Sequence, residues 1–485
     1  MVSVLAHSFV LAPILAVLVY NLFNHEYARR HFVWFAGAGA VWQMLSALAC
    51  ALALRAEDLA SYPFSILWNR AEGTGYFELS ELKLFLLFVI GLVALVAVLI
   101  AKSTIDPNRS AYTNLLMILL LGMNGMLLVT DLFSLYVFME VTGICCFVMI
   151  AMFRTRSDLE GSFKYLVMSE LASVFLLTGL AFLFMRTCAL YDNDLRGLTE
   201  TLRTGSAQDR LAHVSLVLLL SGFAIKTGVA PFHSWMPDAR QSADTSVSVL
   251  LSGIVIKIAG VYGLMTVSRL FGEDPAVRVS LAALGVVTIL VGALLAGRQK
   301  HFKRVVAYSS VSQMGYILLA LSTGTSLGLV AALAHIFSHA VFKSTLFANA
   351  AALHEQAGSL DLADLGGLEE RMPQTAFSSV VAFLSTAGIP PTMGFWSKLL
   401  ILLALWSSGQ TALAAVALIA SILTASYLIR VQKCVFFGKI RESLSQVQEI
   451  GGTVLSAELL LTAVTLGVGL LYPLILVFLR GQGIL

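Results

Sequence analysis

The chemistry-bearing feature of this sequence is a set of titratable side chains set inside apolar stretches. Lys83, Lys164, Lys226, Lys257, Lys343 and Lys398 each lie within or at the edge of a long apolar run, whereas the arginines fall in polar connections or at run ends. Arginine stays charged at any accessible pH, while a desolvated lysine can release its proton near neutrality. Buried bases made only of lysine are what a proton relay requires. Lys83 and Lys164 stand near the starts of their runs, where snorkelling to the interface is an equal account. Lys226, Lys257, Lys343 and Lys398 lie deeper, where a charge costs roughly 2.5–3.5 kcal/mol to insert. A cost of that size points to function.

Glu140 is the lone carboxylate of DLFSLYVFMEVTGICCFVMIAMF beyond its first residue, so within a membrane it must be protonated, paired or facing water. A lysine from another helix is its natural partner. At an effective dielectric near 20 and a separation of about 4 Å, such a pair is worth roughly 4 kcal/mol, enough for a small movement of Glu140 to switch the lysine's protonation. A static pair that fixes helix packing is the competing account. Lys226 stands just before Gly228 and Pro231 in GFAIKTGVAPFHSWMPDA, and Lys398 follows Pro390 and Pro391 in FLSTAGIPPTMGFWSKLLI. Proline removes an amide donor and frees carbonyls, and such breaks survive at membrane depth only where protein or a water-filled cavity satisfies them. Two interrupted spans at matching places in two halves suggest inverted repeats around a transport path, although a kink used only for packing is also common.

His335, His339 and Lys343 in AHIFSHAVFKSTLF fall at i, i+4 and i+8, one face of a helix. Histidine both donates and accepts near physiological pH, so the stack can hand protons along about two turns. Metal ligation by the histidine pair lacks a following Glu and a third ligand, and structural hydrogen bonding is a further alternative. No metal is expected. Lys257 sits in a helix softened by Gly253 and Gly260, and Asp131, Lys164, Glu170 and Lys303 are accessory candidates for the same route. Cys50, Cys145, Cys146, Cys188 and Cys434 include no C-x-x-C pair, which argues against zinc, iron–sulfur or disulfide roles.

The elements that must hold these groups are membrane spans. Of the 485 residues 58% are hydrophobic and 12% charged, a balance solvated by lipid rather than water. The net charge of +3 offers no basic patch for nucleic acid. Residues 1–485 read as a single membrane domain of about fourteen helices, at 3–22, 32–54, 79–101, 112–130, 131–153, 162–186, 210–231, 243–268, 277–296, 305–322, 326–353, 373–404, 410–432 and 453–478. The start of the chain lacks the basic residues of a cleavable signal and is taken as the first span. Lys and Arg favour the odd-numbered loops, which is expected to put those loops in the cytoplasm and both termini outside; the inner (cytoplasmic) membrane is the expected location.

With these residues in view, the chain resembles the antiporter-like subunits shared by respiratory complex I, membrane-bound energy-converting hydrogenases and Mrp-type cation/proton antiporters. The resemblance covers about residues 80 to 440 and rests on the Glu140 span, KTGVAPFHSWMPDA, KRVVAYSSVSQMGY, HIFSHAVFKSTLF and GIPPTMGFWSK. It implies an all-α integral membrane fold of about fourteen helices with two inverted five-helix repeats, 112–268 and 277–432, each with a discontinuous helix. It also implies that Glu140 and Lys226 are the coupled pair, that Lys257, His335, His339 and Lys343 carry protons onward, and that Lys398 is the exit lysine. The shorter members, without a long lateral helix, are the better match, and GFWSKLLILLAL leans toward the hydrogenase and Mrp types. No cofactor is implied in this chain; flavin, iron–sulfur or nickel centres belong to hydrophilic partner subunits, alongside other membrane subunits. The carried ion is the proton or sodium, and the alternative to a redox-driven pump is a sodium/proton antiporter without redox coupling.

Overall fold

In lipid the backbone satisfies its own hydrogen bonds only as helices or closed barrels, and continuous apolar runs of about 20 residues select the helix. The described residues are helical almost throughout. A computed structural model describes residues 2–22, 30–56, 61–64, 76–106, 108–187, 210–271 and 274–481. Cys188 and most of the 55–78 and 187–209 loops lie outside the described residues.

Among the described residues the α-helical elements are α1 (Val2–Leu22), α2 (Phe32–Ala56), α3 (Glu81–Thr104), α4 (Arg109–Leu128), α5 (Leu132–Ile150), α6 (Arg156–Thr187), α7 (Arg210–Thr227), α8 (Trp235–Ser242), α9 (Thr245–Leu270), α10 (Pro275–Arg298), α11 (Phe302–Ser322), α12 (Ser326–Ala357), α13 (Pro373–Ala387), α14 (Met393–Ser407), α15 (Thr411–Val435) and α16 (Gly452–Gly481). Among the described residues 13 helices are long and apolar enough to cross a membrane. Two short strands, β1 (Ser61–Phe64) and β2 (Phe77–Ser80), pair antiparallel in the connection before α3.

Local sequence sets the helix ends. Asp131 accepts from Ser134 N at the start of α5, and Thr325 accepts from Gly328 N at the start of α12. Pro275 occupies the first turn of α10, where its missing N–H costs nothing. The seventh expected span ends at Thr227, and residues 228–234 form a non-helical break before α8. The expected span 373–404 is two helices, α13 and α14, separated by Gly388–Thr392. The peptide bonds Ala230–Pro231 and Pro390–Pro391 are cis.

Close contacts divide the chain into two compact units. The first comprises Met1–Thr227 and Ile254–Glu273, the second Gly228–Gly253 and Asp274–Leu485. In the first, α6 packs along α7, α2 along α3 and α4 against α5, and α7 meets the 257–262 stretch of α9. That stretch is wound as a π-helix, a form found often at functional sites. In the second unit α10 packs along α11, and α12 is surrounded by α11, α13, α14 and α16. The buried polar side chains of this unit gather around α12.

Candidate functional site

In the first unit α5, α6 and α7 bring four polar side chains together. Lys226 Nζ donates to Ser169 Oγ at 2.7 Å and lies 3.5 Å from Glu140 Oε1, while Ser173 Oγ donates to the same oxygen at 2.6 Å. The lysine side chain is 6% exposed and the glutamate 22%. The ammonium thus has a neutral hydroxyl at short range and its counter-charge at longer range, a looser arrangement than a bidentate structural salt bridge. Gly143, one turn beyond Glu140, makes the room: a Cβ there would stand 3.7 Å from Lys226 Nζ.

Lys257 is buried on the π-helical part of α9. One turn further, Gly260 lies against α7 so closely that a Cβ would come within 2.6 Å of the Thr227 N and Cα. The helix that carries Lys257 and the end of the helix that carries Lys226 are therefore in backbone contact.

In the second unit His335, His339 and Lys343 are all buried on α12, as their spacing predicts. His335 bridges two neighbours, with Nε2 at 3.1 Å from Gln313 Oε1 on α11 and Nδ1 at 3.0 Å from Ser397 Oγ on α14. Which of the two groups donates in the Gln313 contact follows the imidazole tautomer. Ser397 Oγ can donate to Nδ1, or turn its hydrogen to Gly394 O at 3.1 Å and accept from Nδ1. His335 can gain or lose a proton without losing a partner. His339 packs against the Phe342 ring at 5.3 Å.

Lys343 Nζ donates to Val306 O at 3.2 Å and to Ser309 Oγ. Lys398 Nζ donates to Thr386 O at 2.8 Å, Ala387 O at 3.2 Å and Ser421 Oγ at 3.4 Å, and lies 4.4 Å from the centre of the Tyr316 ring. Thr386 and Ala387 are the last residues of α13, so the interruption at Gly388–Thr392 supplies the carbonyls that hold Lys398. Among the described residues both lysines are hydrogen-bonded by neutral oxygens alone.

The accessory positions separate. Lys303 is buried and donates to Ala243 O at 3.0 Å. Asp131 caps α5, accepting from Ser134 N at 2.8 Å. Lys164 does not join the buried set: its side chain is 41% exposed and pairs with Glu160 at 2.6 Å, one turn away on α6. Glu170 is exposed on the same helix. Lys83 is buried at the start of α3 and lies 3.5 Å from Glu78.

Two features depart from the sequence reading. Arg240, expected in a loop, is in the short helix α8 and is buried, with no hydrogen-bond partner for its guanidinium nitrogens among the described residues. Glu458 is fully buried on α16, where Asn349 Nδ2 and Thr375 Oγ1 reach it at 2.7 and 3.0 Å. The signal that could have found Glu458 is the one that marks Glu140, a lone carboxylate in an apolar run.

Known proteins resemble this chain in sequence and in fold. The family described as NADH:quinone oxidoreductase/Mrp antiporter, TM, matches residues 129–424, which include every buried lysine from Lys226 to Lys398. A Na(+)/H(+) antiporter subunit of Alkalihalophilus pseudofirmus is 32% identical over 382 residues, 78% of this chain and 76% of that one. A NADH-quinone oxidoreductase subunit of Desulforudis audaxviator is 34% identical over 315 residues, 64% of this chain and 62% of the relative. A chain from the structure of the membrane-bound sulfane sulfur reductase, an archaeal respiratory membrane complex, superposes with a TM-score of 0.85 at 28% identity, covering 99% of this chain and 96% of that one.

Proposed function

Since the chain belongs to the NADH:quinone oxidoreductase/Mrp antiporter transmembrane family, we propose that it is the proton-translocating, antiporter-like subunit of a redox-driven membrane complex. The observation that carries this reading is the bonding of Lys343 and Lys398, buried and held by carbonyl and hydroxyl oxygens. Neutral acceptors hold an ammonium yet do not lock its proton in place, as a buried counter-ion would. In the first unit Glu140 and Lys226 form the control point, because lengthening or shortening their 3.5 Å separation changes the free energy of the charged lysine. Lys257 is the onward acceptor there. In the second unit His335, His339 and Lys343 form the relay and Lys398 the exit, while Lys303 is an accessory base.

The same proposal places the chain in the cytoplasmic membrane with both termini outside. It assigns residues 112–268 and 277–432 to two inverted repeats, each with one interrupted helix. The driving energy enters from partner membrane subunits and from hydrophilic subunits that hold flavin, iron–sulfur or nickel centres.

A second reading, a subunit of a sodium/proton antiporter without redox coupling, is favoured by the match to the Alkalihalophilus protein. Gentle purification from native membranes followed by mass spectrometry separates the two: redox subunits that co-purify support the pump, and small membrane subunits alone support the antiporter. Both readings require that Lys226→Ala and Glu140→Ala abolish coupled ion movement in sealed vesicles. Transport at the parental stoichiometry would sink them.

A further inference from the structure

A second carboxyl pair lies outside the lysine and histidine positions. Glu458 on α16 is fully buried, and Glu449, in the connection before α16, is half-buried. Thr375, in the first turn of α13, stands between them, its Oγ1 2.8 Å from Glu449 Oε1 and 3.0 Å from Glu458 Oε2.

Counting hydrogens decides what this arrangement holds. Glu449 accepts from Gln374 N at 2.6 Å, Thr375 N at 3.4 Å and Ile450 N at 3.2 Å, so toward the backbone it acts only as an acceptor. Glu458 Oε1 accepts from Asn349 Nδ2 at 2.7 Å, which makes that oxygen the carbonyl end. The second amide hydrogen of Asn349 goes to Ser378 Oγ, whose own hydrogen goes to Thr375 O. The Thr375 hydroxyl has one hydrogen and two carboxyl oxygens beside it. Both contacts are hydrogen bonds only if one carboxyl carries a proton, and the acceptor role of Glu449 assigns it to Glu458 Oε2. Among the described residues Glu449 is the charged group that faces Glu458; α12 and α13 present Asn349, Thr375 and Ser378.

We propose that Glu458 is a proton-storing carboxyl that exchanges with the membrane surface through Thr375 and Glu449. In the exchange step Glu458 Oε2 gives its proton to Thr375 Oγ1 as the threonine proton passes to Glu449 Oε1; one O–H bond breaks and one forms at the threonine, and the net movement is one proton. The site adds a surface connection to the second unit. Its part in translocation rests on the function proposed above, but its protonation and exchange do not.

The test is infrared difference spectroscopy of the full chain in native membranes. The carbonyl band of a protonated carboxylic acid is expected in the parent and absent in Glu458→Gln, whose amide accepts from Asn349 and donates to Thr375, so the fold is kept. On transfer to heavy water the band shifts quickly in the parent and several-fold more slowly in Thr375→Val, which keeps the shape and removes the hydroxyl. A parent spectrum that lacks the Glu458 band overturns the proposal, as does exchange at the parental rate in Thr375→Val. Loss of the band on adding sodium at constant pH also overturns it, in favour of a cation site. Because no transport assay enters, these outcomes stand even if the Lys226 and Glu140 variants transport normally.

Discussion

Lys398 and Lys343 each place their donors on neutral oxygens, and this permits a sharp substitution. Arginine at either position keeps the charge and removes the ability to lose it. Lys398→Arg is expected to lower proton flux into vesicles by about a hundredfold or more, the scale of removing a positioned proton-transfer group, with the amount of assembled protein unchanged. A purely structural lysine would give parental flux. At Gly143 a larger side chain occupies the space of the Lys226 ammonium, since even a Cβ would lie 3.3 Å from Ser169 Oγ. Gly143→Leu should therefore reproduce the transport defect of Lys226→Ala while leaving both charged residues present, and normal flux would show that the close approach is dispensable. The charged members of the site were legible because a lone charge in an apolar run carries an insertion cost. Ser169, Ser173, Thr375 and Gln313 carry little such cost, so nothing in the linear pattern separates them from other polar residues in spans. Lys164, 41% exposed and paired with Glu160, marks a limit of the linear pattern: apolar surroundings in sequence say nothing about which side of a helix faces outward.

The helices are written plainly in the apolar runs, and their interruptions less so. The break at Gly388–Thr392 was legible as two prolines near a lysine, but residues 373–404 are largely apolar and read as one span. What ends α13 is Gly388, with φ of +85° and its amide bonded to Leu384 O at 2.9 Å. Gly388→Ala is expected to destabilise the fold by about 1–2 kcal/mol from the left-handed backbone alone. It should also displace Lys398, because the new Cβ would lie 2.8 Å from Lys398 Cδ. A lower unfolding midpoint together with reduced flux would bear this out; a wild-type midpoint would count against it. At the contact of α7 with α9, Gly260→Leu must push Thr227 backbone aside, a cost of about 1–3 kcal/mol or more for overpacking. The measurement is the unfolding midpoint in detergent, and an unchanged value would mean that the two helices separate easily. The β1–β2 pair was not legible because its strands are only four residues each.

For the molecule as a whole, acid is expected to loosen the second unit at His301. This residue precedes α11, where Phe302 N donates to Leu360 O and Leu362 N to Lys300 O, both at 2.8 Å. Burial pushes the His301 imidazole below its usual range, and Lys303, Arg304 and His354 act in the same direction, partly offset by Asp361. The folded form therefore binds fewer protons than the unfolded chain. Its stability contribution is complete above about pH 6.5 and is lost as the pH falls below that value. The unfolding midpoint should drop on the acid side, and His301→Gln should flatten that limb; an unchanged slope would remove His301 from the account. The division into units follows from packing between distant segments, which no local pattern of residues announces. The chain passes from one unit to the other at 227/228, 253/254 and 273/274, and this bears on biogenesis. A ribosome releases residues 228–253, which belong to the second unit, before it releases 254–273, which complete the first. The first unit therefore cannot be finished until the second has begun, and a gene divided after Thr227 would encode two fragments, the first of which lacks part of its own interior.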